Sequence, residues 1–323
     1  MMSKEIKLLL ECGVRAPSSH NSQPWLFRVD EKYIEIYADP KRRLSEADRD
    51  GRMLFVSLGC LIANLKIAAD FLGLSHSLAY YTSGTSDLAA RMNFFGEKKK
   101  ANGDYFRATS ERRSNRNQYK NRPIPEDVIR ALKDLNRDEG LRIDFVTSYK
   151  TRAQIADISS RAMGRIMSRS PFRRELAHWL RTNITRKKDG MPGSGHGMSL
   201  LVSCIAPHIL RHVDVSKVEA KKERKRIMNF PAVVVISSRG NHRQQWLKVG
   251  ELLEMILLAA QSKSIDSAIR VASIEDQIAR EELRQALGLR NFEPQMLFGL
   301  GYAEKTAPHS PRRRIEDYIL PAR

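Results

Sequence analysis

Apolar positions follow two periods along the chain. In SKEIKLLLECGVRA (residues 3–16) Ile6, Leu9, Leu10 and the Gly13–Val14 pair recur at threes and fours, which predicts a helix. WLFRVD and YIEIYAD are β-rich runs separated only by Glu31 and Lys32, the composition of a hairpin. Asp50 to Leu74 is apolar on more than one face and meets Gly73 near its end, so it predicts a buried helix with a glycine stop. SLAYYTS and RMNFFGE then read as strands. Further on, PEDVIRALKDLNRD opens with proline and acids as a helix should, and LRIDFVTS follows as a strand. PAVVVISS predicts a buried strand, QWLKVGELLEMILLAAQSKSI a buried helix, IEDQIAREELRQALGL an amphipathic helix and EPQMLFGLGYA a strand.

The second series echoes the first. Setting Gly59 against Gly250 aligns Leu61 with Leu252, Ile67 with Leu258 and Ala68–Ala69 with Ala259–Ala260 without a gap. This weak internal match predicts two related halves, residues 1–108 and 109–323. Between the repeated patterns lies an insertion, residues 168–226. Its SPFRRELAHWLRTN reads as an exposed helix anchored by Trp179, and its KKDGMPGSGHGMS as a mobile glycine-rich loop, material of which lids are made.

Composition narrows the class. The chain has 323 residues, 41% hydrophobic and 29% charged, which is globular usage. Cys12, Cys60 and Cys204 are scattered without CxxC spacing, so neither a disulfide framework nor a zinc site is suggested and a reducing compartment fits. The start lacks a secretory pattern and SLLVSCIA is too short to span a bilayer, so a cytoplasmic protein without a membrane partner is expected. The formal charge of +19 invites nucleic acid. In EAKKERKRI, however, Glu219 and Glu223 interleave with the cations as on a solvated helix face, and no nucleic-acid-binding motif accompanies the basic runs. A small anionic ligand suits the charge better. GSGHG lacks the strand and the GxGxxG spacing of a dinucleotide loop. His208 and His212 have i, i+4 spacing but no adjacent Glu or clear third ligand, so no metal is expected, and no GxSxG is present for a serine hydrolase.

Two polar segments remain. RAPSSHNSQPW (residues 15–25) carries Pro17, Ser18, Ser19, His20, Asn21 and Gln23 before its tryptophan, too polar for core. Amides such as Asn21 and Gln23 both donate and accept, which suits a heterocycle with alternating carbonyls and ring nitrogens. In RRSNR, Arg112 and Arg116 offer guanidinium forks with Ser114 between them, suited to a phosphate or to an electron-rich ring edge. A phosphate at one end and such a ring at the other describes flavin mononucleotide (FMN).

RAPSSHNSQPWLF resembles the APSxxNxQPW segment of the nitroreductase-like flavoproteins, and ERRSNRNQYKNRPIPEDVI resembles their RRSxR…PVPxE segment. PQMLFGLGYAEKTAPHSPRRRIEDYI is similar to their closing strand, glycine turn and basic tail. In ordinary members the arginine segment precedes the loop within one half, and a homodimer makes two flavin sites. Here the order is reversed, and LNRDEGLRIDF stands where the second loop should be. The resemblance therefore points to the single-chain tandem (Acg-type) branch: an α/β (α+β) nitroreductase-like fold, monomeric, with one complete flavin site.

It implies that Arg112, Ser114, Arg312 and Arg313 hold the phosphate and that Arg116 faces the pyrimidine edge of the ring. Pro17, Ser18, Asn21 and Gln23 would line the ring, with Ser19 and His20 nearby and Trp25 packing beneath the loop. It also implies ping-pong hydride transfer from NADPH or NADH, through flavin N5, to a nitroaromatic, a quinone or a similar small acceptor. The flavin carries that chemistry, and no catalytic acid or base is demanded. The alternative is a flavin-holding protein whose lid blocks the nicotinamide.

Overall fold

A computed structural model describes residues 3–82 and 86–321; Ser83, the end of the SLAYYTS run, lies outside them. The first elements are α1 (Lys4–Gly13), β1 (Trp25–Val29), β2 (Tyr33–Ala38), α2 (Arg52–Leu72), β3 (Leu74–Tyr80), β4 (Leu88–Glu97) and α3 (Asp104–Glu111). Then come α4 (Glu126–Lys133), β5 (Leu141–Val146), α5 (Tyr149–Ser168), α6 (Ser170–Trp179), β6 (Leu180–Arg181), β7 (Met191–Pro192), α7 (Leu200–His212) and α8 (Ser216–Asn229). β8 (Ala232–Ser238), α9 (Arg243–Gln261), β9 (Asp266–Ile269), α10 (Ala272–Glu275), α11 (Gln277–Ala286) and β10 (Glu293–Gly301) complete the chain.

Two antiparallel four-stranded sheets result, in the orders β1-β2-β4-β3 and β5-β8-β10-β9. Replacing β1, β2, β3 and β4 by β5, β8, β9 and β10 turns one order into the other. The helix between second and third strand is α2 in the first sheet and α9 in the second. This is an α/β architecture with one core: Leu58, Leu61 and Ile62 of α2 and Leu247, Val249 and Ile256 of α9 are all fully buried.

The contact between α2 and α9 is reciprocal. A Cβ on Gly59 would lie 2.0 Å from the carbonyl oxygen of Leu247, and one on Gly250 would lie 2.0 Å from that of Val56. The two backbones therefore touch at the pair of glycines that the sequence alignment matches. α2 is buried along nearly its whole length and is held at both ends. The Asp48 carboxylate accepts from the backbone N–H of Met53 (2.9 Å) and Leu54 (2.8 Å), and Gly73 closes the helix at φ 77°.

The largest departure from this symmetry lies between β5 and β8. Where β1 and β2 are joined by a tight hairpin, the second half runs through α5 to α8. The excursion thus begins at 147, earlier than the expected 168, because α5 packs along α8 and belongs to it. Trp179 is buried within it, as its anchoring role requires. Three local expectations are corrected. Glu223 is not on a solvated face: it is fully buried and pairs with Arg270. GSGHG is not a mobile loop but a short 3-10 helix, Gly193–His196, directly after β7. Gly299 and Gly301 form no turn; they lie within β10, where their missing side chains make room for Phe230, Pro231 and Tyr119.

Candidate functional site

The polar loop after α1 and the segment after α3 meet at the seam between the two sheets. His20, Asn21 and Gln23 all take left-handed backbone conformations, at φ 53°, 52° and 53°. Such residues cost energy and persist only where their surroundings over-determine them. Here the determinants are explicit. Ser18 Oγ accepts from the Gln23 N–H at 3.0 Å. The Asn21 amide donates to the carbonyls of Gly190 and Pro311, both at 3.0 Å, and accepts from Arg312 at 2.9 Å. Gln23 donates to the Lys188 carbonyl at 2.9 Å and accepts from the Arg313 N–H at 3.0 Å and from the Tyr318 hydroxyl. Beneath the loop Trp25 is wholly buried, its ring centroid 6.4 Å from that of Tyr318.

The arginine segment extends the edge of the second sheet. Ser114 pairs with Ser267 of β9, and the Asn115 N–H donates to the Ser267 carbonyl at 2.8 Å. The buried Asn115 amide bonds Asp266 (3.0 Å) and the Lys305 carbonyl (2.8 Å), while Tyr119 donates to the Asn115 carbonyl at 2.7 Å and stacks edge-on against Phe230. Arg112 then turns inward. Its Nε lies 3.3 Å from a carboxylate oxygen of Glu254 in α9, and its Nη2 donates to the Arg15 carbonyl of the loop at 3.2 Å. Burial pushes the Glu254 carboxyl upward against the pull of Arg112 and Arg312.

Cationic groups gather at two places along this seam. At one end the His309 imidazole is held low by partial burial and by the positive fields of Arg113, Arg112, Arg312 and Arg15. The positive field there suits an anion, although Arg112 and Arg312 are partly engaged with Glu254, Asn21 and nearby carbonyls. At the other end stands Arg116, which remains exposed to solvent. Around it are His20 from the loop, His196 from the excursion, and Arg226 and Arg270; Arg116, Arg226 and Arg270 also line one cavity with Asn229 and Phe230. Burial, with the field of Arg116 added, lowers His20 to about 4 although Glu175 opposes it. Burial and the surrounding arginines likewise hold His196 well below its ordinary value. Both imidazoles are neutral at pH 7, and His20 Nδ1 and His196 Nε2 are buried without a hydrogen-bond partner. Arg270 is tied to Glu223, and Arg226 lies 3.2 Å from Glu219.

The predicted residues thus converge on one seam but divide by role. Arg116 and Ser114 border open space. Gln23 is wholly buried, so it does not line a ring as expected; its amide holds the tail and the excursion against the loop. Asn21 does the same. Arg312 spends its guanidinium on Asn21 and on the carbonyls of Val14 (2.7 Å), Arg15 (2.9 Å) and Ala16 (3.1 Å), fixing the end of α1 to the tail. Arg313 lies over the Tyr318 ring and donates to the Asp317 carbonyl. Arg15, Arg113, His309, His196 and Arg270 escaped the sequence reading. Arg15 and Arg113 adjoin the two motifs and were legible there, whereas the other three arrive from distant elements. Among the described residues no cluster of His, Cys, Asp and Glu is arranged to hold a metal ion.

Comparison with known proteins identifies the family. Residues 109–302 match the model of the Nitroreductase family. A proposed NAD(P)H nitroreductase of Mycobacterium tuberculosis, acg, is 25% identical over 97% of this chain and 94% of its own length. A second from the same organism, Rv3131, is 22% identical over 98% of this chain and 91% of its own. Among solved structures, the FMN-dependent nitroreductase NfnB of Mycobacterium smegmatis, in complex with NADPH, is 16% identical with a TM-score of 0.44, covering 68% of this chain and 98% of that one.

Proposed function

The chain belongs to the nitroreductase family, and from that premise we propose that it is an FMN-dependent oxidoreductase that draws on NADPH or NADH and reduces a small organic acceptor such as a nitroaromatic or a quinone. The observation that carries the reading is the meeting of the loop after α1 with the Arg112–Arg116 segment, which places arginines around His309 on one side and Arg116 over a cavity on the other. FMN fits this donor set. The arginines around His309 suit a phosphate, while Arg116 and the unpartnered nitrogens of His20 and His196 suit a ring edge that both donates and accepts. Bound there, the group would supply two-electron hydride chemistry.

The chain's own residues do the rest. Arg112, Arg113, Arg15 and Ser114 would hold the phosphate, with Arg312 and Arg313 fixing the walls of that cradle. Arg116 would place a positive charge at the ring edge where reduction accumulates negative charge. Pro17 to Asn21 would form the wall opposite, and Asn21 and Gln23 keep that wall in register. No side chain is required as a general acid or base.

A second reading, flavin retention without turnover, draws on one feature. The excursion is fastened over the loop by Asn21 and Gln23 and by Asp189, which is ion-paired to Arg42 and, at 2.8 Å, to Arg181. One experiment separates the readings. The protein is loaded with FMN, freed of excess, and its absorbance followed anaerobically on adding NADPH or NADH. Bound flavin that bleaches is expected. Bound flavin that stays oxidised moves the assignment to retention, and a protein that keeps no flavin removes both.

A further inference from the structure

The excursion carries a surface that the flavin site does not use. Of the twelve large apolar side chains exposed among the described residues, eight lie between Ile184 and Val218. They centre on α7, a helix of thirteen residues in which Ser203 alone is buried. Leu201 (76% exposed), Val202, Ile205 and Ile209 fall within about a third of its circumference, and Val213 and Val218 continue the patch beyond its end. Single exposed apolar residues need no explanation, but a contiguous face of this kind marks an interaction surface.

Basic side chains flank it along the chain. Arg186, Lys187 and Lys188 stand exposed on the approach to α7, and Lys217 and Lys221 stand exposed on α8 after it. The acids nearby do not balance them. Asp189 is ion-paired, Glu223 is buried against Arg270, and Glu219 is engaged with Lys222 and Arg226, which leaves Asp214 as the exposed carboxylate between the two helices. An apolar helical face with a cationic border, on a chain of net charge +19, fits one class of surface: the headgroup boundary of an anionic lipid bilayer. A second copy of the chain is disfavoured by the same charge, since two such rims would face each other.

We propose that α7 and the start of α8 dock this protein onto anionic membranes, with the face of Leu201, Val202, Ile205 and Ile209 entering the headgroup boundary and the flanking lysines meeting lipid phosphates. Docking of this kind needs no spanning segment, so it is compatible with α7 being too short to cross a bilayer. It does not depend on the bound cofactor. It brings the excursion that contributes His196 to the cleft against the lipid, where lipophilic acceptors of the quinone class dissolve.

Vesicle sedimentation tests the proposal on the full chain. Vesicles of phosphatidylcholine are compared with vesicles containing added phosphatidylglycerol, at low and high salt. The expected result is binding that requires phosphatidylglycerol, weakens with salt, and falls on the order of tenfold or more in L201E/I205E. K217Q/K221Q should weaken it by a smaller factor that vanishes at high salt. Both pairs are exposed, and an unchanged far-ultraviolet circular dichroism spectrum checks the fold. No binding to either vesicle, or equal binding by L201E/I205E, overturns the proposal. So does self-association in sedimentation velocity that L201E/I205E abolishes, which would assign the face to a second copy.

Discussion

Gln23 shows how far a residue type can be read and where the reading stops. A buried amide with partners on every side is worth more when deleted than any one of its bonds, because the partners stay buried and unpaired. Gln23→Ala would orphan the Tyr318 hydroxyl, the Arg313 N–H and the Lys188 carbonyl together. The expected loss is on the order of 2–4 kcal/mol in a urea titration, with faster trypsin cleavage at Arg186 to Lys188 as the excursion loosens. That Gln23 belongs to a site is legible in its motif. That it faces inward is not, because its partners lie 165 and 290 or more residues away along the chain. His20 supplies a test by pH. Its folded value of about 4 lies below the 6.5 of an unperturbed imidazole, so the unfolded chain binds a proton first. Stability is therefore full above pH 6.5 and declines toward pH 4, by on the order of 1–3 kcal/mol. Asn tolerates the positive φ at this position, so His20→Asn should remove that decline, seen as a smaller difference between urea midpoints at pH 7 and pH 5 than in the parent protein.

At the scale of elements, the long apolar runs were the legible part. Both central helices and the strands with alternating or wholly apolar patterns fall where the sequence places them, because burial on two faces leaves a pattern that local reading detects. β9 was missed: its four residues, DSAI, form a strand through pairing with β10, a partner some thirty residues on. The burial of Glu223 was missed because a carboxylate turned toward Arg270 is indistinguishable in sequence from one turned toward water. The α2–α9 contact gives the sharpest prediction at this scale. In an ordinary helix interior Gly→Ala stabilises by about 1 kcal/mol. At Gly59 the new methyl would enter the Leu247 carbonyl, and no side chain can yield because the obstacle is backbone. Gly59→Ala should destabilise by about 3 kcal/mol or more, and Gly250→Ala by a similar amount. Gly13→Ala, which meets the Leu65 side chain (Cδ2 at 2.9 Å and Cγ at 3.2 Å) rather than backbone, should cost less. Chemical denaturation of the three variants checks both the sign and the ranking.

At the scale of the whole molecule, matching sheet orders raise the question of a second site. If the halves were functionally equivalent, the seam would hold two cradles related by the Gly59–Gly250 contact. The loop between α1 and β1 spans residues 14–24, long enough to carry the polar wall and three left-handed residues; its counterpart between α4 and β5 spans 134–140. That shorter turn is spent locally, with Asn136 bonding the Leu141 carbonyl at 2.9 Å and Asp138 capping the Gly140 N–H at 2.8 Å. The first loop therefore carries a polar wall that the second turn lacks, and that loop meets the Arg112–Arg116 segment within a single chain. The net charge of +19 opposes close self-association. The chain should run as a monomer in sedimentation velocity and bind close to one FMN per chain, with Arg116→Ala weakening retention on the order of tenfold. Two flavins per chain, or a dimer that dissociates only as flavin is lost, would show that the second seam position is completed from outside.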